Sequence, residues 1–311
     1  MLDSYDKMNQ VQQKQKIRLA AEEPKETFRE GECKELPVLP FVDKYRLGKY
    51  YYTRACYAEY YKLVNEMLND QERCVTVTGT PGVGKSIFYA YFFKRFRKEM
   101  QGKNTCVVAA AYIRDELVNV IAFEDDDDDG VWRINEEDID DFIAGALGRG
   151  KNVVLLCDGP PKRIRGWIQT VVFTRPYKEW MRAVENDNCT LWLPLWELGE
   201  LFESGEYIGL KKPDGSPIGD DTIEGGFDIF GGVARECFLP TEELVEQRKQ
   251  ELLAGVAQIS TPEEFKRLAR QGWTRDGLPY FPFRTSERWD VDHNGTRVYN
   301  MHMGRHYASS T

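Results

Sequence analysis

The segment CVTVTGTPGVGKSIFYAYFFKRF, from Cys74 to Phe96, constrains the fold of this chain more than any other stretch. At its centre Gly79, Thr80, Pro81, Gly82, Val83, Gly84, Lys85 and Ser86 spell G-x-x-x-x-G-K-S. The β-branched run Cys74 to Thr78 predicts a short buried strand. After the glycines, Phe88, Phe92 and Phe96 recur at a spacing of four and predict a helix with one apolar face. Lys94, Arg95, Arg97 and Lys98 cluster at the end of that helix, where they suit the negative pole of its dipole. Strand, glycine loop and helix in this order form a phosphate cradle. The glycines let the backbone wrap with its N–H groups inward, and a helix N-terminus favours anions. Lys85 is expected to reach the β- and γ-phosphates and Ser86 to ligate Mg²⁺. The stretch expected to contact a nucleotide runs from Gly79 through Ile87.

Such a cradle needs an acid at the end of a second apolar strand, to hold the water shell of the metal. NVVLLCD, Asn152 to Asp158, supplies one in Asp158. The residue that follows is Gly159, where many ATPases place a glutamate that polarises water. Hydrolysis is then slow, or the base comes from elsewhere; Glu197 and Asp115 are the candidates. A further apolar strand, TVVF, ends in Thr174 and Arg175, which are read either as sensors of the γ-phosphate or as a cationic strand terminus. The stretch EGGFDIFGGVARECF, Glu224 to Phe238, carries two Gly-Gly pairs and Arg235. Arg235 is read as an arginine finger or sensor, or as a surface arginine after a loop that needs positive φ.

With 311 residues the chain suits one large domain or two modest ones. Hydrophobic content of 41% beside 30% charged residues describes a soluble globular protein. The formal charge of −9 argues against direct nucleic-acid binding, although Lys162, Arg163 and Arg165 make a local basic patch. Seven cysteines without a C-x-x-C pair read as reduced, mostly buried thiols. No apolar run approaches a membrane span, and the polar N-terminus has no signal-peptide core. A cytoplasmic location is the expectation.

Residues 1–40 read as a flexible tail, 41–240 as the nucleotide-binding domain and 241–311 as a helical or irregular extension. Within the domain, Tyr50 to Leu68 reads as a helix. Thr105 to Ile113, Asn152 to Cys157, Thr170 to Phe173 and Thr190 to Leu193 read as strands. Phe123 to Ile134 reads as a hairpin with an acidic tip, and Trp196 to Phe202 as a helix. Glu242 to Ala254 reads as another helix, and Thr261-Pro262-Glu263-Glu264 as the start of one more. Apolar strands separated by helices predict an α/β fold with a parallel sheet. Asp125 to Asp129 lacks the spacing of a calcium loop and reads as a solvated tip. His302 and His306 lack the partners of a zinc site.

Several of these segments occur together in a recognisable order. GTPGVGKSIF, CDGPP, TRP, LWLPLWELGEL and FGGVAR, with Thr53-Arg54-x-Cys56-Tyr57 upstream, resemble the ATPase domain of Crinkler effectors and of the retrotransposon hot spot proteins of trypanosomes. The resemblance spans roughly residues 45–240, and the Trp-Leu-Pro-Leu-Trp-Glu-Leu and Phe-Gly-Gly-Val-x-Arg pair makes it specific. It implies an α/β P-loop NTPase, a three-layer sandwich around a mostly parallel sheet; the order in sequence, with Thr105 to Ile113 between the loop and Asp158, is compatible with the class that inserts a strand between the two nucleotide-binding strands (ASCE-like). Lys85, Ser86, Asp158 and Arg235 match its motif positions. The first reading is then a Mg²⁺-dependent nucleoside triphosphatase, ATP before GTP. In that reading nucleotide state switches conformation or the binding of a protein partner, and an arginine acting from a neighbouring subunit would need an oligomer. Secretion or a nuclear destination also follows from the family, although residues 1–40 lack its leucine-rich header and no nuclease-like set follows the ATPase segment. Two alternatives stand beside this reading: a degenerate nucleotide-binding scaffold, and a small-molecule kinase with Arg163 and Arg165 as a lid.

Overall fold

The computed structural model describes residues 28–42, 49–124, 131–184, 189–257, 259, 261, 289–291 and 297–299. Strands β1 (Cys33–Glu35) and β2 (Tyr50–Tyr52) pair antiparallel, with Cys33 opposite Tyr52. Here the structure departs from expectation. The helix read from Tyr50 begins only at Cys56, as α1 (Cys56–Asn69). Three consecutive tyrosines favour an extended, half-buried pleat, and Tyr51 and Tyr52 are buried in it. Residues 33–35, read as part of a tail, supply the partner strand. Of that stretch, residues 1–27 lie outside the described residues.

The central sheet has seven strands. They are β3 (Cys74–Thr78), β4 (Thr105–Ile113), β5 (Glu116–Glu124), β6 (Val131–Ile134), β7 (Asn152–Asp158), β8 (Gln169–Phe173) and β9 (Thr190–Trp192). Their order is β6-β5-β4-β7-β8-β3-β9. From β4 to β9 every pairing is parallel, and β5 and β6 add antiparallel at one edge. Parallel neighbours require crossovers. Helices α2 (Lys85–Met100) and α3 (Ile139–Gly148) serve β3 to β4 and β6 to β7, and the short α4 (Lys178–Ala183) lies between β8 and β9. The chain is therefore α/β, with a mostly parallel sheet flanked by helices. The hairpin read over Phe123 to Ile134 is present as β5 and β6, with Phe123 opposite Val131, while its acidic tip lies outside the described residues.

Period-two alternation decides what each face of the sheet carries. Cys106, Val108, Ala110 and Tyr112 of β4 and Val153, Leu155 and Cys157 of β7 share one apolar cluster with Ile139, Ile143 and Ala146 of α3. Val154, Leu156 and Asp158 therefore turn to the other face. Helix α2 packs on that face: Phe88 and Phe92 meet Phe173 at 5.8 and 5.9 Å, and Phe93 meets Phe123 at 4.6 Å. Helix α1 covers α2 in turn, with Tyr57 5.1 Å from Phe88 and Tyr61 5.1 Å from Phe92. All seven cysteines are free, and Cys74, Cys106 and Cys157 are buried, as their apolar neighbours implied.

By its internal contacts the chain divides into two compact units. The first holds the chain up to Thr78 together with Gly84–Trp192, and so the whole central sheet. The second combines Gly79–Val83 with the chain from Leu193 onward. Its helices are α5 (Leu198–Ile208), α6 (Asp220–Phe230), α7 (Ala234–Cys237) and α8 (Glu242–Ala257). Helix α5 starts two residues later than the sequence suggests and runs past Phe202, because Glu197 and Glu200 form a capping box ahead of Leu198. The first Gly-Gly pair sits inside α6 rather than in a loop. Gly226 is needed there for close packing, since a Cβ would lie 2.9 Å from the Cys237 Cα. Strands β10 (Trp289–Val291) and β11 (Arg297–Tyr299) pair antiparallel. The helix expected after Pro262 and the pair His302 and His306 fall outside the described residues. Among the described residues no helix is long and apolar enough to cross a membrane.

Phe88 is fully buried among Tyr57, Tyr60, Phe92 and Phe173. Phe88→Ala is expected to cost about 3–5 kcal/mol, read as a lowered urea midpoint with an unchanged slope.

Candidate functional site

In the first unit the site begins where α2 begins. Gly84 precedes the helix in a left-handed conformation, φ 93° and ψ 26°, and no side chain caps the first turn. No acidic residue occupies that turn either, so the positive end of the helix dipole keeps its preference for an anion. Lys85 is the first helical residue, half-buried, and Ser86 the second. The Ser86 hydroxyl donates to Asp158 Oδ1 at 2.9 Å. Asp158 ends β7 and is only 4% exposed. It lies on the α2 face because alternation along β7 puts it there. Two residues 72 apart in sequence, selected on motif grounds, are thus brought into direct contact. The other carboxylate oxygen, Oδ2, accepts the Val42 N–H at 2.9 Å.

The strand β8 lies between β3 and β7, so its C-terminal end emerges between those of β3 and β7, the latter ending in Asp158. The Thr174 N–H donates to the Val77 carbonyl, and its hydroxyl donates to the Arg175 carbonyl. Thr174 is buried at this position. The Arg175 guanidinium stacks over the Tyr177 ring at 4.1 Å. Tyr89, one turn beyond Ser86, is fully buried, and its hydroxyl has no hydrogen-bond partner. Burial foremost, then the charge of Asp158, pushes its phenol well above the ordinary range.

Gly159 explains the residue missing after Asp158. Its φ is +94°, and a Cβ there would lie 2.2 Å from the Tyr112 carbonyl oxygen. No side chain fits, so a glutamate cannot follow Asp158 in this backbone. The proposed alternatives gain no support as bases. Asp115 occupies the tight β4–β5 turn with φ 67°, and Glu197 is engaged in the α5 capping box. Beside the β7–β8 connection, Asp140, Asp141, Ala144, Arg163, Arg165 and Trp167 help line a pocket of about 420 Å³. There Asp140 accepts from Arg165 at 2.6 Å and from Arg163 at 2.8 Å. Both arginines of the supposed lid are therefore tied to one carboxylate.

The second unit contains the outer part of the glycine loop. Gly79 and Gly82 have φ of 147° and 92°. The Trp196 indole N–H donates to the Val83 carbonyl at 2.9 Å, and its backbone N–H donates to the Gly232 carbonyl at 2.8 Å. Gly232 has no room for a side chain, because a Cβ would lie 2.0 Å from the Trp196 carbonyl oxygen. The Arg235 N–H donates to the Gly82 carbonyl at 3.3 Å. A Cβ on Gly82 would lie 2.7 Å from the Arg235 Cβ, so the arginine stem runs directly over the glycine while the residue as a whole stays exposed. The LWLPLWEL and FGGVAR segments thus bind each other and the backbone of Gly82 and Val83. Sequence reasoning missed Val42, Tyr89, Trp196 and Gly232. Only the last two had a signal, their place in the paired motifs.

Among the described residues no group of three or more His, Cys, Asp or Glu gathers as a metal site. Ser86 and Asp158 offer one hydroxyl and one carboxylate, a set that suits Mg²⁺ completed by phosphate and water. Scans against protein-family models and against curated proteins find no match for this chain.

Gly159→Ala is expected to destabilise the fold by on the order of 2 kcal/mol or more, seen as a lowered melting temperature. The Arg165 hydrogen bond, then the charges of Arg165 and Arg163, hold the Asp140 carboxyl below its ordinary 3.8 against the opposing effect of burial. That contribution is complete above the ordinary value and fades as pH falls through the lowered one. The stability gap between wild type and Arg165→Met should therefore stay constant from about pH 7 to 5 and narrow below about pH 4, as urea titrations at each pH would measure.

Proposed function

We propose that this chain is a P-loop NTPase that binds Mg²⁺ and a nucleoside triphosphate, ATP before GTP, and hydrolyses it slowly. The observation that carries the reading is the 2.9 Å hydrogen bond between Ser86 and Asp158, the two residues that a G-x-x-x-x-G-K-S loop and a strand-end acid must bring together. The position of β8 between β3 and β7 supports it, as do the uncapped first turn of α2 and the positive φ of Gly79, Gly82 and Gly84.

In this reading the N–H groups of the loop and of the first turn of α2 take the phosphate oxygens, and Lys85 neutralises the β- and γ-phosphates. Bound Mg²⁺ would supply charge neutralisation for the phosphate oxygens. Ser86 and Asp158, joined at 2.9 Å, are the residues that would hold the metal, Ser86 through its hydroxyl and Asp158 through the metal's water shell. Thr174, buried at the end of β8, is the candidate sensor of the γ-phosphate, with Arg175 beside it. Arg235 is the candidate arginine of the loop's outer side. The resemblance to Crinkler and retrotransposon hot spot ATPases further suggests that nucleotide state serves conformational switching or partner binding.

Slow turnover follows from Gly159, since no carboxylate fits directly after Asp158. The same observation favours, as second reading, a scaffold that binds nucleotide and barely turns it over. The kinase reading loses its lid, because Arg163 and Arg165 both pair with Asp140.

A thermal-melt titration with Mg·ATP and Mg·GTP tests the reading on wild type and Lys85→Ala. At a hundred times the dissociation constant a real site contributes roughly 2.7 kcal/mol, about 2–4 °C per kcal/mol for a chain of this class. Wild type should shift by several degrees and Lys85→Ala should not. Equal behaviour of the two proteins would refute the cradle, and phosphate release then separates the slow enzyme from the scaffold.

A further inference from the structure

The Asp158 carboxylate has two oxygens, and the site described so far uses one of them. The second, Oδ2, is held by the backbone N–H of Val42, 116 residues away in sequence. That donor sits at the end of the segment LPVLPF, Leu36 to Phe41. Prolines at 37 and 40 fix φ and carry no N–H of their own, which stiffens the approach to Val42. Two side chains anchor it. Leu39 is 2% exposed and Phe41 8% exposed. The Phe41 ring stands edge-on to Tyr89, with centroids 5.5 Å apart and planes at 86°. Tyr89 packs in turn on Phe173, the last residue of β8, at 5.3 Å. The segment is thus keyed to α2 and to the strand between the two nucleotide-binding strands.

We propose that Leu39–Val42 is a positioning strap, in which the Val42 N–H fixes Oδ2 of Asp158 so that Oδ1 faces Ser86 and the metal's water shell. The proposal rests on the nucleotide-binding reading above and assigns the N-terminal segment a part in metal affinity. A carboxylate with one donor removed can rotate and seek another. The Tyr89 hydroxyl, buried without a hydrogen-bond partner and within reach of the Asp158 charge, is one such donor, and an Asp158 turned towards it is lost to the metal shell. Val42 is therefore a positioning residue acting through Asp158, with a role that its side chain does not carry.

Because the donor is a backbone N–H, proline removes it and alanine keeps it. Nucleotide affinity is measured by calorimetry for wild type, Val42→Pro and Val42→Ala, with ATP in Mg²⁺ and in EDTA. Val42→Pro should lose about ten-fold of the Mg²⁺-dependent affinity, the size expected for a hydrogen bond to a charged group. Its affinity in EDTA, set by the loop and Lys85, should be unchanged, and Val42→Ala should match wild type in both conditions. Phe41→Ala, which keeps every N–H but removes the ring anchor, should show a smaller loss of the same kind and serves if the proline variant does not fold. A Val42→Pro or Phe41→Ala protein with wild-type Mg²⁺ dependence overturns the proposal.

Hydrogen exchange in the absence of nucleotide tests the strap separately. The Val42 amide should be protected in wild type and released in Asp158→Ala, while the amides of β7 and β8 stay protected. Continued protection of Val42 in that variant overturns the strap even if ATP binds. Wild type that binds no nucleotide in either condition overturns the underlying function, and with it the metal role, while the exchange result still decides whether the strap exists.

Discussion

A carboxylate that is 4% exposed must be given hydrogen-bond donors or it cannot stay charged, and in this fold that carboxylate is Asp158. It receives one donor from Ser86, at the start of α2, and one from Val42, in the segment before β2. Each requirement reaches outward. Ser86 is in place only because α2 lies on the sheet face opposite to α3, and Asp158 points that way only because β7 alternates with a period of two. The apolar runs of β4 and β7 on one face, and the phenylalanine ladder of α2 on the other, keep that registration. The aromatic packing around Phe88, Tyr89 and Phe173 is therefore what sets the hydroxyl of Ser86 at hydrogen-bond distance from the carboxylate.

The glycine loop has a corresponding dependence in the second unit. Its carbonyls at Gly82 and Val83 point to donors from Arg235 and Trp196. With its outward carbonyls satisfied in this way, a loop of this kind can direct its N–H groups inward, as anion binding requires. Gly82 and Gly232 are glycines for steric reasons, since a Cβ on either would collide with Arg235 or Trp196. This gives a physical reason for two motifs far apart in sequence to accompany one another: they meet each other and the loop backbone. Arg235 belongs to this scaffold through its N–H and its stem, whatever its guanidinium does.

Much of the architecture was legible beforehand. The apolar runs identified the parallel strands to within a residue or so, because buried strands carry continuous β-branched or apolar sequence. The Phe88, Phe92 and Phe96 spacing marked the buried face of α2, and the motif residues Ser86 and Asp158 meet. What was not legible depends on contacts distant in sequence. Tyr50–Tyr52 reads as the start of a helix by spacing alone, and becomes a strand because Cys33–Glu35 pairs with it. Gly225 and Gly226 look like loop residues until the packing of α6 on α7 is known. A backbone donor such as Val42 leaves no trace in residue identity. Gly159 was noticed as a departure, and its cause, the approach of the Tyr112 carbonyl, exists only in three dimensions.

In the proposed site, Ser86 and the water shell bound to Asp158 hold a divalent ion when a triphosphate occupies the loop. Mn²⁺ in place of Mg²⁺ makes that ion visible to electron paramagnetic resonance. In wild type, one Mn²⁺ per chain should be immobilised when ATP is added and released when ATP is omitted. In Asp158→Asn, which keeps the shape and loses the charge, ATP should immobilise far less. Mn²⁺ that stays free in wild type with ATP, or that is held equally by Asp158→Asn, would contradict the account.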